Sequence, residues 1–170
     1  MPEIKRLSPD QWPLLKAVRL AALADSPAAF GTTLVQAQSR TDAEWHENAR
    51  RFALLPPAAS YHAFSDGSPC GMANCFVSKD DSQTAELTGF WVAPEQRGTG
   101  VGAALVAAAA DWAKSQGVTT LQAWVVEDNH RAIKFYQNRG FLDTGQRQPH
   151  TPEPSKQIKL LARAIHPPAA

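Results

Sequence analysis

The chain has 170 residues, 44% of them apolar and 19% charged, with a formal net charge of +1. That length suffices for one domain with a real core, and the balanced charge provides no field to draw it to nucleic acid or a membrane surface. The longest apolar run, Val101 to Ala110, is too short to span a bilayer, and the opening MPEIKRLSPD lacks an apolar signal core, so a cytoplasmic protein is expected.

Glu3 to Leu7 reads as a first strand. Ser8, Pro9 and Gln11 give the cap, first-turn proline and capping-box glutamine of a helix running to about Asp25. Trp12, Leu15, Arg19 and Ala22 share one face of it. AFGTTL reads as a connector. Thr41 and Glu44 form a second capping box, opening a helix from Asp42 to about Phe52, and LLPPAAS breaks it. Tyr61 to Ser65, GMANCFVS and Thr84 to Val92 read as strands, separated by the polar turns DGSP and KDDSQ. Cys70 and Cys75 lie five positions apart, on opposite faces if the segment is one strand, so no disulfide between them is expected. A helix with Val101, Leu105, Ala108 and Trp112 at helical spacing ends at Gly117. A strand from Thr119 to Val126 follows, then a short helix closed by Gly140. FLDTG and KQIKLLARAI are the last strands, with a proline-rich loop from Gln146 to Ser155 between them. The middle hairpins imply antiparallel pairing, and the strand–helix–strand unit from Thr84 to Val126 a right-handed parallel crossover. The expected fold is a single mixed α/β domain over residues 1–165, with a short tail at 166–170.

The stretch FWVAPEQRGTGVGAAL carries the chemistry. Gly98, Gly100 and Gly102 stand where a helix begins, although glycine costs about 0.5–1 kcal/mol there relative to alanine. A strand, a turn and a glycine-lined helix start form an anion site, because the first helical amides have no internal partners and carry partial positive charge. Arg97 adds charge at the edge. A P-loop is excluded, since no Lys-Ser or Lys-Thr follows the glycines. The dinucleotide fingerprint fits poorly, with no acid near position 120.

The segment VAPEQRGTGVGAALVAAAADWAKSQG resembles the acetyl-CoA-binding motif of the GNAT superfamily of N-acetyltransferases. A second segment, VVEDNHRAIKFYQNRGF, is similar to that family's Asn-x-x-Ala-x-x-x-Tyr-x-x-x-Gly-Phe pattern, matched by Asn129, Ala132, Tyr136, Gly140 and Phe141. The resemblance covers nearly the whole chain and is weakest before Tyr61. It implies the GNAT fold, a mostly antiparallel central sheet whose fourth and fifth strands are parallel and splayed. It implies acetyl-CoA as cosubstrate, with the pyrophosphate on the main chain of Arg97, Gly98, Thr99, Gly100, Val101 and Gly102. The pantetheine arm would lie along Phe90, Trp91 and Val92 as a pseudo-strand, bonded also by Asn129. An amine would attack the thioester directly through a tetrahedral intermediate. An N–H near Phe90 to Val92 would stabilise the oxyanion, and Tyr136 would protonate the leaving thiolate. Glu86 is the candidate general base, directly or through water, because it shares strand parity with Thr88, Phe90 and Val92. Glu127, Asp128 and His130 are the alternatives.

The acceptor implied is a primary amine of a small molecule or peptide, walled by the segments Pro9–Phe52 and Gln146–Ser155. No acidic cluster marks that side, which disfavours a polycation. Arg50 and Arg51 read as a solvated helix end that an anionic substrate would be able to meet. The five tryptophans read as packing residues. The five histidines show no metal-ligand spacing, and no metal is expected. Other readings are an acyltransferase using another acyl-CoA or nucleophile, and a CoA-binding sensor without catalysis. Homodimers are common in the family, by analogy only.

Overall fold

Strands β1 (Glu3–Arg6), β2 (Ala58–Ser65), β3 (Ser68–Val77), β4 (Thr84–Val92), β5 (Thr120–Val126), β6 (Leu142–Pro149) and β7 (Gln157–Ala164) form one sheet in the order β1-β2-β3-β4-β5-β7-β6. A computed structural model describes residues 1–55 and 57–166. Every neighbouring pair is antiparallel except β4 and β5, which are parallel. This is the mixed, mostly antiparallel sheet expected. Of the expected tail, residues 167–170 lie outside the described residues.

The helices are α1 (Trp12–Asp25), α2 (Leu34–Gln38), α3 (Asp42–Leu54), α4 (Val101–Ser115) and α5 (His130–Gln137). Side chains alternate along β3 and so separate the two faces of the sheet. A Cβ on Gly71 would lie 3.3 Å from Val101 Cγ1 of α4, whereas Met72 faces the cavity lined by α1 and α3. The core is continuous across the sheet, with Leu15, Leu23 and Trp45 buried on one side and Val101, Leu105 and Val106 on the other.

Four local expectations change. Pro9–Gln11 is a separate 3-10 turn, not the first turn of α1, with the Gln11 side chain accepting from the Ser8 amide at 2.9 Å. The connector AFGTTL leads into α2, which starts at its last residue, Leu34, and at about a turn and a half is too short to show periodicity. Thr33 caps it, accepting from the Gln36 amide at 3.2 Å, and Gln36 accepts in return from the Thr33 amide at 2.9 Å. Strand β2 begins at Ala58, earlier than Tyr61. Gln146 to Pro149 belong to β6 and not to the proline-rich loop, since Arg147, Gln148 and Pro149 pair with Lys159, Ile158 and Gln157. This edge strand is exposed along its whole length, so its sequence carries no apolar alternation, and proline is tolerated at its end. Cys70 and Cys75 are both free and buried. Burial pushes the Cys75 thiol up to about 12, which leaves it an inert core side chain.

Candidate active site

Pairing between β4 and β5 runs through Thr84–Thr120, Ala85–Leu121 and Glu86–Gln122, then stops. Beyond Glu86 the two strands part. On its other edge β4 carries a bulge: Thr88 pairs with Asn74 and Trp91 with Met72, three steps against two. The extra residue sits at Gly89, whose φ of +58° favours glycine. A Cβ there would lie 2.7 Å from Asn74 Nδ2. Asn74 is itself buried and accepts a hydrogen bond from Ser60 Oγ at 2.6 Å, so the bulge rests on a fixed polar pair.

The bulge overturns the parity expected for Glu86. Glu86 and Thr88 face the α1–α3 side, while Phe90 faces the other way, its ring centroid 5.1 Å from Phe135 and 5.8 Å from Tyr136. Trp91 turns back, its Nε1 donating to Asp25 at the end of α1 at 2.9 Å. Glu86 Oε1 accepts from Gln122 Nε2 at 2.9 Å.

On the α4–α5 side lies a cleft of about 650 Å³, lined by Phe90 to Val92, Arg97, Gly98, Gly100, Gly102 and Asn129 among others. Gly100 caps α4 with a left-handed φ of +98°. Ala104 is the first amide to find a helical acceptor, the Gly100 carbonyl at 3.0 Å, so the amides of Val101, Gly102 and Ala103 precede the helical ladder. A Cβ on Gly98 or Gly100 would meet nothing within 4 Å, which leaves open space before those amides. Gly102 is bare for another reason: its Cβ would lie 2.8 Å from Phe135 Cε2, so it lets α5 pack on α4. Thr99 and Val101, between those glycines, do not line the cleft with their side chains. The Thr99 hydroxyl donates to the Gln96 carbonyl at 2.6 Å, and the Val101 side chain is buried in the core.

Arg97 is more constrained than an edge charge. Its Nε donates to the Val92 carbonyl at 3.0 Å and its Nη2 pairs with Asp25, tying the loop to the strand end and to α1. Hydrogen bonds from Ser26, Trp91 and Arg97 hold the Asp25 carboxyl below the usual range. Asn129 caps α5, its Oδ1 accepting from the Ala132 amide at 3.1 Å, which leaves its amide nitrogen to donate. Tyr136 does not line the cleft. It packs between Phe90, Phe135 and Phe141, and burial pushes its phenol pKa up, so it stays protonated through the neutral range. Two cleft cations were not signalled by the motifs: Arg131, and Arg139, whose guanidinium stacks 3.8 Å from the Phe135 centroid.

On the opposite side a cavity of about 420 Å³ is walled by α1, α3, β5 and the β6–β7 turn. Trp45, Phe52 and Trp124 supply its apolar walls, so two of the tryptophans expected only to pack are lining residues. Arg19, Arg40 and His150 also line it. Burial, and secondarily Arg40, lower the Arg19 pKa to about 10. Arg50 lies elsewhere, bonded to Glu47 at 2.8 Å. Glu127 is held by Arg147 at 2.6 Å, and Asp128 lies 3.9 Å from Lys156. Ala29 and Phe30 line both cavities, with Gly89 on one and Phe90 on the other. Among the described residues, no group of three or more His, Cys, Asp or Glu side chains is placed to hold a metal ion, and no helix is long and apolar enough to cross a membrane.

The cleft therefore suits a diphosphate with an extended arm, offering amides and cations at one end and the parted strands at the other. Residues 20–141 match the Acetyltransferase (GNAT) family. The chain belongs to that family. A mycothiol acetyltransferase of Stackebrandtia nassauensis is 32% identical to this GNAT chain over 128 residues, 75% of this chain and 40% of that protein. The chain spans well under half the length of the curated relatives it matches. The crystal structure of a GNAT-family acetyltransferase from Streptococcus pneumoniae superposes with a TM-score of 0.82 at 20% identity, over 98% of this chain and 100% of that one. A putative acetyltransferase from Salmonella typhimurium, solved with its cofactor acetyl-CoA, gives 0.76 at 18% identity, over 100% and 97%. At those identities the shared property is the fold.

Proposed function

We propose that this GNAT protein transfers an acetyl group from acetyl-CoA to a primary amine of a small molecule or peptide. The observation that carries the reading is the meeting of two cavities at the Gly89–Phe90 bulge, with Ala29 and Phe30 common to both. One cavity suits the cosubstrate and the other an acceptor. When bound, acetyl-CoA supplies an activated acetyl thioester. The amides of Val101 to Ala103 and the guanidinium groups of Arg131 and Arg139 would hold its phosphates. The edge of β4 from Phe90 to Val92 that β5 leaves without a strand partner would align the arm, with Asn129 donating to it, and an N–H there would bond to a developing oxyanion.

A protonated amine is no nucleophile, so a side chain must accept its proton. His150 lines the acceptor cavity and Glu86 shares that face of the sheet. Glu86 already accepts from Gln122, whereas His150 borders the cavity itself, which favours His150. Tyr136 stays protonated and is the candidate donor to the leaving sulfur, a role that requires its hydroxyl, packed behind Phe90 and not lining the cleft, to reach that sulfur.

The test is thermal shift with acetyl-CoA, followed by free-thiol release across an amine panel. Acetyl-CoA raises the melting temperature, and at least one amine releases thiol. Tyr136→Phe lowers kcat more than acetyl-CoA affinity. If no acyl-CoA stabilises the protein, the reading is wrong. Binding without turnover on a broad panel would instead favour a CoA sensor.

A further inference from the structure

The cavity proposed for the acceptor has an unusual charge balance. Arg19 and Arg40 line it, and no aspartate or glutamate does. Neither arginine belongs to any ion pair among the described residues. Each instead stacks on an aromatic ring: the Arg19 guanidinium lies 4.6 Å from the Phe30 centroid and that of Arg40 5.2 Å from the Trp45 centroid. The acid that senses Arg40 is Glu44, and its carboxylate is spent on capping α3, accepting from the Thr41 amide at 2.6 Å. Two partly desolvated cations side by side, with no anion between them, are electrostatically incomplete. Burial, and after it the charge of Arg40, lowers the Arg19 pKa to about 10.

Position narrows the chemistry further. Arg19 Nη1 lies 3.4 Å from where a Cβ on Gly89 would stand, so the guanidinium is beside the bulge at which the two cavities meet. An anion seated on Arg19 is therefore close to the point where the amine must react. A planar guanidinium matches a carboxylate with two parallel hydrogen bonds. A short spacer between amine and carboxylate, as in an α- or β-amino acid, meets that constraint. A peptide N-terminus has no α-carboxylate, because its α-carbonyl is an amide. Polyamines meet two like charges. The remaining wall is Trp45, Phe52 and Trp124, which suits an apolar side chain.

We infer that the acceptor is a free α- or β-amino acid with an apolar side chain, its carboxylate held by Arg19 with Arg40 nearby. This rests on the acetyltransferase reading for which side of the sheet receives the acceptor.

The test begins without any acyl-CoA. The full chain is titrated with L-phenylalanine, L-leucine and L-methionine, each beside its carboxamide, by calorimetry. The carboxamide keeps the amine and the side chain and removes the negative charge. The acids bind at least about tenfold tighter than their amides. Arg19→Gln abolishes that preference and Arg40→Gln reduces it, with acetyl-CoA affinity unchanged in both. Should Arg19→Gln fail to fold, the comparison of acid with amide on the unmodified chain decides alone. Equal binding of acids and amides, tighter binding of the amides, or no binding of any acid overturns the inference. Acetyl-CoA and thiol detection are then added. Acid-selective binding without thiol release would sink the acetyltransferase reading, and with it the acceptor role, and leave standing only an amino-acid carboxylate site on Arg19. Release from amides as readily as from acids would do the reverse.

Discussion

The two cavities flanking the parted strands are built by different means. The α4–α5 cleft draws half of its lining from one short stretch, Phe90 to Ala103, and much of that is main chain: helix-start amides, bare glycines and a strand edge. The acceptor-side cavity is a side-chain surface, assembled from positions between Leu15 and Ile158. A backbone site constrains its sequence locally, because left-handed turns and close packing demand glycine at fixed spacing. A side-chain site needs only that distant residues arrive together, and leaves no local phrase. The bulge at Gly89 is where the two designs touch.

Gly89→Ala is the change that most directly breaks this arrangement. It places a Cβ at φ +58° and 2.7 Å from Asn74 Nδ2, which Ser60 holds in place. The expected cost is roughly 2–4 kcal/mol of stability, from backbone strain plus the clash. Turnover should fall to background even where the protein remains folded, because relief of the strain removes the bulge and swings Phe90 out of the cleft. Denaturant unfolding and thiol release measure the two effects. Full activity in a stable Gly89→Ala protein would show that the bulge does not organise the site.

The same contrast explains what the sequence revealed. The order of strands, the parallel β4–β5 pair and the start of α4 followed from alternation, helical spacing and glycine placement. Gly100 was legible as a backbone glycine, but Gly102 was not separable from it, since packing against Phe135 and approach to a ligand ask for the same absent Cβ. Gly89, an isolated glycine inside a strand, is the kind of signal that marks a bulge, and the sequence reading passed over it. Without the register its effect on Glu86 stayed hidden. Arg19 did stand out of place on the apolar face of α1, beside Leu15 and Ala22. Arg40 and His150 gave no signal, because their roles depend on where a turn and a loop land in space. Strand β6 was cut short because an edge strand exposed on both faces has no apolar period.

The α1–α3 cavity is also where substitution should single out the base. His150→Gln is expected to lower kcat by about 100-fold, whereas Glu86→Gln leaves kcat little changed. The reverse result would return the base role to Glu86. Stability sets the window for this measurement. His62 on β2 is buried with neither ring nitrogen bonded, and burial lowers its pKa from 6.5 to about 4. Between those values the unfolded chain binds a proton that the folded chain refuses. Stability contributed above pH 6.5 is therefore lost on acidification, by roughly 3 kcal/mol at pH 4. His62→Leu should flatten unfolding free energy across pH 4–6.5. An acidic limb of the rate profile that survives in that background belongs to the site and not to the fold.

The smallest expected effect sharpens the backbone half of the comparison. Gly102→Ala adds a good helix former in α4, worth about 0.5–1 kcal/mol by propensity. Its Cβ also pushes Phe135, whose ring packs on Phe90 and under Arg139, two walls of the cleft. Acetyl-CoA affinity should then fall by several-fold with stability little changed. Phe135→Leu vacates the space that the new methyl needs. If Gly102 is bare for packing, the double variant Gly102→Ala with Phe135→Leu binds no worse than Phe135→Leu alone, and the two changes couple strongly in a double-mutant cycle. If Gly102 is bare for the phosphate itself, the methyl harms binding whether or not Phe135 is present, and the two changes add. Calorimetric titration of the four proteins with acetyl-CoA separates a glycine placed for its neighbour from one placed for its ligand.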